Sequence, residues 1–214
     1  MKLQAKICGL NTPEVVDAAV RGGADAIGFV FYPPSPRSIS PETAASIGRQ
    51  TGRATRVGLF VDPDDGWLDA VLTGAALDMI QLHGSETPQR AAAIGSRTGL
   101  PVMKAIRIRG PEDFGAVDAY DGAADWLLFD AKPPKGQGHG LPGGNGVAFD
   151  WRLLAGRKWN RPWMLSGGLD AENVAEAVRI SGAAWVDVSS GVESAPGTKD
   201  PARIAKFLDA VKSL

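Results

Sequence analysis

Apolar side chains cluster in eight short runs along the chain, each long enough for one β-strand. The runs span residues 2–7, 26–31, 56–61, 79–83, 102–107, 126–130, 163–167 and 185–190. Most are apolar throughout rather than alternating, which is typical of strands that are buried on both faces of a parallel sheet. The pattern therefore predicts eight parallel strands.

Helical patterns lie between these runs. The first of them shows signals that recur in the others: Thr12 is a candidate N-cap, Pro13 follows in the first turn, and Gly22 ends the pattern. The same signals predict helices at residues 12–23, 40–50, 64–74, 87–99, 110–120, 170–182 and 200–214. Between the sixth and seventh strands we expect only a short helix near residues 150–154.

Eight strands that alternate with about eight helices in 214 residues predict an α/β fold, a (β/α)8 TIM barrel with a parallel eight-stranded core. A doubly wound open sheet is the alternative. A dinucleotide-binding sheet of that kind would carry a G-x-G-x-x-G motif after its first strand, which the sequence Cys8-Gly9-Leu10 does not match. We expect residues 1–214 to form a single TIM-barrel domain, because no linker or low-complexity tract interrupts the pattern.

Composition and charge narrow the range of partners. The chain has 23 basic and 24 acidic side chains, spread evenly, so its charge favours neither nucleic acid nor a membrane surface. Its single cysteine excludes an internal disulfide and agrees with a cytoplasmic location, and one cysteine with two histidines does not favour a zinc site. No apolar stretch approaches the roughly 20 residues of a membrane helix, and the N-terminal run is too short for a signal peptide.

The active site of a TIM barrel lies at the C-terminal ends of its strands, so polar residues at those positions are the candidates for chemistry. They are Cys8, Arg37, Asp62, His83, Arg107, Asp130 and the segments 166–168 and 189–191. Glycine-rich turns after the seventh and eighth strands predict a phosphate site, because their N–H groups precede helices; the residues are Gly167, Gly168, Ser190 and Gly191. The alternative is that these glycines only make tight turns.

The loop after the sixth strand is long and rich in glycine, which is typical of a substrate loop or a disordered segment. Its candidates for further phosphate contacts are Gly143, Gly144 and Gly146. His139 lies in the same loop, and we interpret it as a solvated histidine rather than as an acid or a base.

Cys8 and Asp130 end the first and sixth strands and would face one barrel mouth. A thiolate can act as a general base, and a carboxylic acid as a general acid. Their structural alternatives are a small buried residue for Cys8 and a turn cap for Asp130. Arg37, in a proline-rich loop, could bind a carboxylate or phosphate of the substrate, or form a surface ion pair. The residues alone thus indicate an enzyme without a cofactor that moves protons on a phosphorylated small molecule.

The source of thiolate stabilisation is a separate question. We do not expect Lys6 to assist Cys8, and we assign that stabilisation to a helix N-terminus or to the bound substrate.

Eight motifs follow one another in order over nearly the whole chain. They are KICG, GADAIGFVFYPPSPRSI, VGLFVD, IQLHG, LFDAKP, GGNGVAFDW, LSGGLDAENV and VDVSSGVESAPGTKD. Together they resemble the phosphoribosylanthranilate isomerase (TrpF) family. The turn after KICG and the loop between Pro133 and Gly143 depart from the family's usual pattern, but neither departure removes a candidate residue.

The resemblance implies the Amadori rearrangement of N-(5′-phosphoribosyl)anthranilate to 1-(2-carboxyphenylamino)-1-deoxyribulose 5-phosphate in tryptophan biosynthesis. It implies Cys8 as the general base, Asp130 as the general acid, and Arg37 as the contact of the anthranilate carboxylate. His83 is assigned to the wall of the substrate site, and the sugar phosphate to the glycine turns. No cofactor or metal is implied, and the chain is expected to be a monomer or a homodimer.

Two alternatives stay open at this point. One is a related phosphosugar barrel isomerase of histidine biosynthesis. The other is a catalytically silent barrel that only binds phosphate.

Overall fold

The structure of the protein is a computed structural model that describes residues 2–132 and 148–214. Eight parallel strands close into a barrel in which each strand pairs with the next along the chain and β8 pairs with β1. They are β1 (Gln4–Cys8), β2 (Ala26–Val30), β3 (Thr55–Phe60), β4 (Met79–Leu82), β5 (Val102–Ile108), β6 (Trp126–Ala131), β7 (Trp163–Leu165) and β8 (Trp185–Val188). The predicted TIM barrel and its eight strands are confirmed.

Six α-helices connect the strands within the described ranges. They are α1 (Pro13–Arg21), α2 (Pro41–Gly48), α3 (Asp65–Gly74), α4 (Pro88–Thr98), α5 (Val174–Ser181) and α6 (Pro201–Lys212). Side-chain oxygens of Ser40, Asp64 and Thr87 each accept an N–H bond from the first turn of the following helix, which satisfies a donor that the helix itself cannot pair. In the part of the chain that the structure describes, no helix is long and apolar enough to cross a membrane.

The connection between β5 and β6 is not the α-helix expected at residues 110–120. It forms two 3₁₀ helices, Pro111–Ala116 and Asp118–Tyr120. The Asp113 carboxylate accepts hydrogen bonds from the N–H groups of Arg109 and Gly110, at 2.9 and 3.3 Å. Local bonds of this kind compete with regular α-helical pairing.

Two further differences concern the second half of the barrel. Helix α5 begins at Val174 rather than at residue 170; in the turn before it, the Asp170 carboxylate accepts the Asn173 N–H and the Asn173 side-chain oxygen accepts the Asp170 N–H. A short antiparallel hairpin, β9 (Glu193–Ala195) and β10 (Thr198–Lys199), follows β8 and was not predicted.

The short helix expected near residues 150–154 is present as a 3₁₀ helix, Trp151–Leu153.

Alternate side chains of each strand point into the barrel and out towards the helices. The interior cluster consists of Ala26, Val57, Met79, Met103, Ala105, Leu128 and Met164. The intervening residues, such as Phe129, belong to the larger cluster between strands and helices. Because side chains two positions apart on a strand share a face, Cys8, His83, Arg107 and Asp130 lie on the interior side of the barrel mouth.

Phe129 anchors the end of the strand that carries Asp130. Its ring is fully buried outside the barrel wall, with centroid distances of 4.6 Å to Trp159 and 5.6 Å to Trp163. Phe114 completes this aromatic cluster at 6.1 Å from Phe129. The cluster therefore fixes β6 from its outer face.

We expect Phe129→Ala to lower the free energy of unfolding by about 3–5 kcal/mol, because it removes a buried ring and leaves a cavity. Denaturant unfolding measures the change. Lys158→Ala, at an exposed position of the same region, is the control and should stay within about 0.5 kcal/mol of the wild type. If the two variants lose the same stability, the cluster does not anchor β6.

Candidate active site

Cys8 lies at the end of β1, where its side chain is 4% exposed. The neighbouring strand approaches it at Gly28, where a Cβ atom would lie only 2.8 Å from the Cys8 Sγ atom. The Ser189 hydroxyl, just after β8, donates to the Cys8 carbonyl at 3.2 Å. Glycine on one side and a hydrogen bond on the other therefore fix the thiol at the barrel mouth.

Lys6 lies on the same face of β1 as Cys8, two residues earlier. Its fully buried Nζ atom is 2.7 Å from Asp187 Oδ1 on β8, and the Ser166 hydroxyl donates to Asp187 Oδ2 at 3.0 Å. The charge of Lys6 acts on the Cys8 thiol and favours the thiolate. The prediction that Lys6 does not assist the thiol is therefore wrong, because residues two apart on a strand share a face.

Opposing effects set the ionisation of Cys8. Burial raises the pKa of the Cys8 thiol above its ordinary value, because a thiolate inside the protein loses its hydration. The positive charges of Lys6 and Lys199 act to lower this pKa, while the negative charge of Asp187 raises it, as burial does. Burial also opposes the charged form of Lys6, but Asp187 and Cys8 together outweigh that effect and the pKa of Lys6 is raised. Lys6 is therefore a permanent cation close to the thiol.

Arg37 forms a buried, bidentate ion pair with Glu193 of the β9–β10 hairpin. Its Nε and Nη2 atoms donate to the two carboxylate oxygens at 2.7 and 2.9 Å, and Lys199 Nζ donates to the same carboxylate at 2.7 Å. Burial raises the pKa of Glu193, but the hydrogen bond from Arg37 and the charge of Lys199 outweigh it and hold that pKa below its ordinary value. The ion pair of Arg37 is thus buried, whereas the alternative role considered from the sequence was an ion pair at the surface.

Sequence reasoning missed Glu193 and Lys199 as site residues. Both lie in the motif VDVSSGVESAPGTKD, but no spacing rule connects Glu193 to Arg37, which lies 156 positions earlier in the chain. A glutamate followed six residues later by a lysine after a strand end is the only local signal, and it is a weak one.

The buried charges around Cys8 do not cancel. Three cations face two carboxylates: Lys6, Arg37 and Lys199 against Asp187 and Glu193. Burial lowers the pKa of Lys199 from its ordinary value, although Glu193 acts in the opposite direction. With all five groups ionised, this cluster of described residues carries one excess positive charge, which suits a thiolate or an anionic ligand.

Asp130 is held at both carboxyl oxygens. Its Oδ1 atom accepts the Ala131 N–H at 2.9 Å, and its Oδ2 atom lies 3.1 Å from Nε2 of His83. On the far side of the imidazole, Gln81 Nε2 lies 3.0 Å from His83 Nδ1. All three polar side chains are buried. His83, predicted as a wall of the substrate site, therefore contacts the predicted acid directly, and its contact with substrate stays a prediction.

The turn after β7 requires glycine at its first position. Gly167 has φ +88°, and a Cβ there would lie 2.6 Å from the Ala131 backbone nitrogen, so only glycine fits. The Asn173 side chain holds the turn by donating to the Gly168 carbonyl at 2.9 Å. Within the described ranges, the N–H of Gly168 donates to no protein group. This group remains available to a ligand.

The turn after β8 is similar. Gly191 passes so close to Leu169 that a side chain there would clash with the Leu169 carbonyl. The N–H groups of Ser190 and Gly191 donate to no protein group in the parts of the chain that the structure describes. The predicted phosphate contacts Gly143, Gly144 and Gly146, and also His139, lie outside the described residues.

The remaining strand-end candidates have different surroundings. Asp62 Oδ1 accepts the Ser85 N–H at 2.7 Å, and the Asp62 N–H donates to Glu86 at 2.8 Å, so Asp62 fixes the turns after β3 and β4. Arg107 is exposed at the mouth and is paired in register with Asp130.

We expect Lys6→Met to raise the pKa of Cys8, because it removes the nearest stabilising cation. The thiolate absorbance in the ultraviolet measures this directly, since the chain has one cysteine; subtraction of the Cys8→Ser titration removes the tyrosine signal. The double variant Lys6→Met/Asp187→Asn should return towards the wild-type titration, because the two lost charges have opposite effects on the thiol. If Lys6→Met titrates like the wild type, Lys6 does not act on Cys8.

The comparisons with known proteins agree along the whole chain. A family model described as N-(5'phosphoribosyl)anthranilate (PRA) isomerase matches residues 5–210. The N-(5'-phosphoribosyl)anthranilate isomerase of Rhodospirillum centenum is 58% identical over 215 residues and covers 100% of both chains. Among solved structures, phosphoribosyl anthranilate isomerase from Thermotoga maritima has a TM-score of 0.87 at 37% identity, with 99% of this chain and 100% of that chain covered.

A second solved structure bears on the site. It is a phosphoribosyl anthranilate isomerase in complex with reduced 1-(o-carboxyphenylamino)-1-deoxyribulose 5-phosphate, with a TM-score of 0.83 at 35% identity, and with 99% of this chain and 100% of that chain covered. Fold, motif order and full-length similarity agree, and the chain belongs to the N-(5'-phosphoribosyl)anthranilate isomerase family.

Proposed function

We propose that this chain catalyses the Amadori rearrangement of N-(5′-phosphoribosyl)anthranilate to 1-(2-carboxyphenylamino)-1-deoxyribulose 5-phosphate, with Cys8 as the general base and Asp130 as the general acid. The observation that carries the proposal is the presence of both side chains, buried, at one mouth of a barrel that matches this family over its length. A relative of the same fold is known in complex with a reduced form of the product, which fits the proposed reaction.

In the proposed mechanism Asp130 gives a proton to the ribose ring oxygen as the bond from that oxygen to C1′ breaks. The ring opens to a Schiff base, which makes the hydrogen on C2′ acidic. The Cys8 thiolate removes that proton, and the resulting enol amine gains a proton at C1′ and loses one from the C2′ hydroxyl to become the ketone. Protons balance and the substrate is isomerised without net oxidation, so the reaction as written needs no redox cofactor.

The charges around Cys8 support its role as the base. A base must lose its own proton before it takes one from C2′, and burial, together with the charge of Asp187, raises the pKa of the Cys8 thiol. The positive charges of Lys6 and Lys199 favour the thiolate. Excess positive charge around the thiol thus stabilises the thiolate in the free enzyme. It provides part of the stabilisation that was expected from a helix end or from the bound substrate.

The anionic ends of the substrate have separate contacts in this proposal. Arg37 meets the anthranilate carboxylate, with its guanidinium held in one orientation by Glu193. The sugar phosphate accepts N–H groups of Gly168, Ser190 and Gly191, whose turns precede α5 and the β9–β10 hairpin. His83 and the three glycines of the sixth loop stay predictions as substrate contacts.

The two alternatives are less well supported. An isomerase of histidine biosynthesis would not account for full-length similarity to relatives that carry a different name. A silent barrel has no need of a buried acid and base at one mouth. We place the enzyme in the cytoplasm and leave its oligomeric state between monomer and homodimer, as expected from the sequence.

We expect Cys8→Ala and Asp130→Asn each to lower kcat by about 10²–10⁴-fold, because each removes one proton-transfer group. The loss of fluorescence of N-(5′-phosphoribosyl)anthranilate measures turnover. Asp209→Asn, an exposed acidic residue on α6, is the matched control and should keep wild-type activity. Near-wild-type turnover in both site variants would remove these residues from the mechanism even if the wild type is active.

Arg37→Ala should raise KM by roughly 10–100-fold with little change in kcat, because a charge-assisted hydrogen bond to substrate contributes about 1.5–3 kcal/mol. Glu193→Gln keeps the guanidinium and removes only its charged partner, so its KM should rise less. Steady-state kinetics of the two variants separate binding from positioning. An unchanged KM in Arg37→Ala rules out the carboxylate contact.

A further inference from the structure

We propose that His83 is a positioning residue that shares a proton with Asp130, so that the acid of the reaction is the His83–Asp130 pair rather than an isolated carboxyl group. The inference rests on the proposed function of Asp130. It extends that function to His83, which the family resemblance assigned to the wall of the substrate site, and to Gln81, to which it gave no role. His83 acts through Asp130 and needs no contact with the reacting atoms.

The geometry puts the two groups in direct contact. His83 Nε2 lies 3.1 Å from Asp130 Oδ2, and both side chains are less than 10% exposed. The other oxygen of Asp130 accepts the Ala131 N–H, so a proton on this carboxyl group has its best partner on the Oδ2 side, towards the imidazole. Proton exchange between the two groups needs no intervening water.

Gln81 makes the imidazole adaptable. Its Nε2 atom lies 3.0 Å from His83 Nδ1, while its Oε1 atom is buried and has no hydrogen-bond partner in the described part of the chain. In this orientation the amide donates to Nδ1, so Nε2 carries the imidazole proton and donates to an ionised Asp130. A half-turn of the amide would present Oε1 to Nδ1 instead.

The second amide orientation corresponds to a loaded pair, by which we mean a His83–Asp130 pair that holds one additional proton. With Oε1 accepting a proton from Nδ1, His83 Nε2 either accepts the proton of a neutral Asp130 or carries a second imidazole proton beside the carboxylate. These two forms differ only in which side of the hydrogen bond holds the proton. The otherwise unpaired Oε1 atom gains its partner in this state, which is why Gln81 suits both states.

An isolated aspartic acid has almost no proton to donate at neutral pH, and the pair with His83 provides one. A solitary carboxyl group is about 99.9% ionised at pH 7, whereas imidazole exchanges its proton between about pH 5 and 8. A carboxyl group that shares a proton with imidazole can therefore be loaded near neutral pH, at the moment when the ribose ring oxygen must be protonated. After ring opening, the pair is reloaded from solvent or from the later tautomerisation.

The elements around this end of the barrel carry other charged groups. They are Asp62 after β3, Glu86 after β4, Lys104 and Arg107 on β5, Cys8 and Lys6 on β1, and Asp187 on β8. Lys104 and Glu86 neutralise each other at 2.6 Å, and Lys6 and Asp187 at 2.7 Å. Asp62 is engaged by Ser85, so Arg107 is the nearby cation whose charge has no acidic partner within the described ranges.

The first test is the pH dependence of kcat/KM in His83→Gln. Glutamine places an amide donor close to the position of Nε2, so it can hold Asp130 but cannot take up a proton. We expect kcat/KM at neutral pH to fall at least about 10-fold and the limb of the pH profile that reports the His83–Asp130 pair to move to lower pH, with the structure of the variant checked by thermal unfolding. A wild-type pH profile in His83→Gln overturns the proposal, as does a raised KM with an unchanged profile, which would make His83 a substrate contact only.

The second test does not depend on activity. The chain has two histidines, so ¹⁵N labelling of histidine with a His139→Ala reference assigns the His83 ring nitrogens without ambiguity. We expect the ring of His83 to take up its second proton at lower pH in Asp130→Asn than in the wild type, because the carboxylate partner is lost. Identical titrations overturn the shared proton. A wild type that shares the proton but lacks isomerase activity refutes the proposed function and leaves the pair intact.

Discussion

The ion pair between Lys6 and Asp187 spans the seam where the last strand of the barrel closes on the first. The two residues are register partners on β1 and β8, and their charges meet at 2.7 Å in the interior. Burial of two charges costs several kcal/mol, which attraction offsets only when the geometry is good and further hydrogen bonds are made, here from Ser166. Because Cys8 is two residues along β1, barrel closure and the electrostatic environment of the thiol depend on the same pair.

A second buried pair lies on the outer face of the barrel wall, because Lys104 alternates with the interior residues Met103 and Ala105 of β5. Lys104 Nζ lies 2.6 Å from Glu86 and also donates to the Gly84 carbonyl at 2.8 Å, which ties β5 to the turn that follows His83. Removing one partner of such a pair leaves an uncompensated buried charge at a cost of about 3–5 kcal/mol. Of the two predicted proton-transfer residues, Cys8 shares a strand face with a buried ion pair that also holds strands together. Stability and reactivity are therefore coupled at the Lys6–Asp187 pair, whereas the Lys104–Glu86 pair holds the turn after His83 from outside the barrel.

The barrel was predictable because its signals are local. Continuous apolar runs mark strands, and Ser-Pro or Thr-Pro starts mark helices such as α2 and α4. The positions of Cys8 and Asp130 followed from the same strand ends. Of three wrong or missing predictions, two depended on contacts between distant parts of the chain or on competing side-chain bonds, and the third misread strand periodicity. Residues 110–120 form 3₁₀ turns because Asp113 bonds the backbone, Lys6 was misjudged although strand periodicity alone places it beside Cys8, and the Arg37–Glu193 pair joins residues 156 positions apart.

The β9–β10 hairpin works as a brace across the loops that follow β1, β2 and β8. Glu193 at its start holds Arg37, while the Gly197 carbonyl at its tip accepts a hydrogen bond from Asn11 at 3.0 Å and the same glycine packs against Pro36. In the proposed binding mode the substrate carboxylate meets a guanidinium whose conformational freedom has already been lost during folding, which lowers the entropy cost of binding. One consequence is evolutionary. In the proposed binding mode, a change in which acid is bound would involve the hairpin and the arginine loop together, because Glu193 and Arg37 hold each other in place.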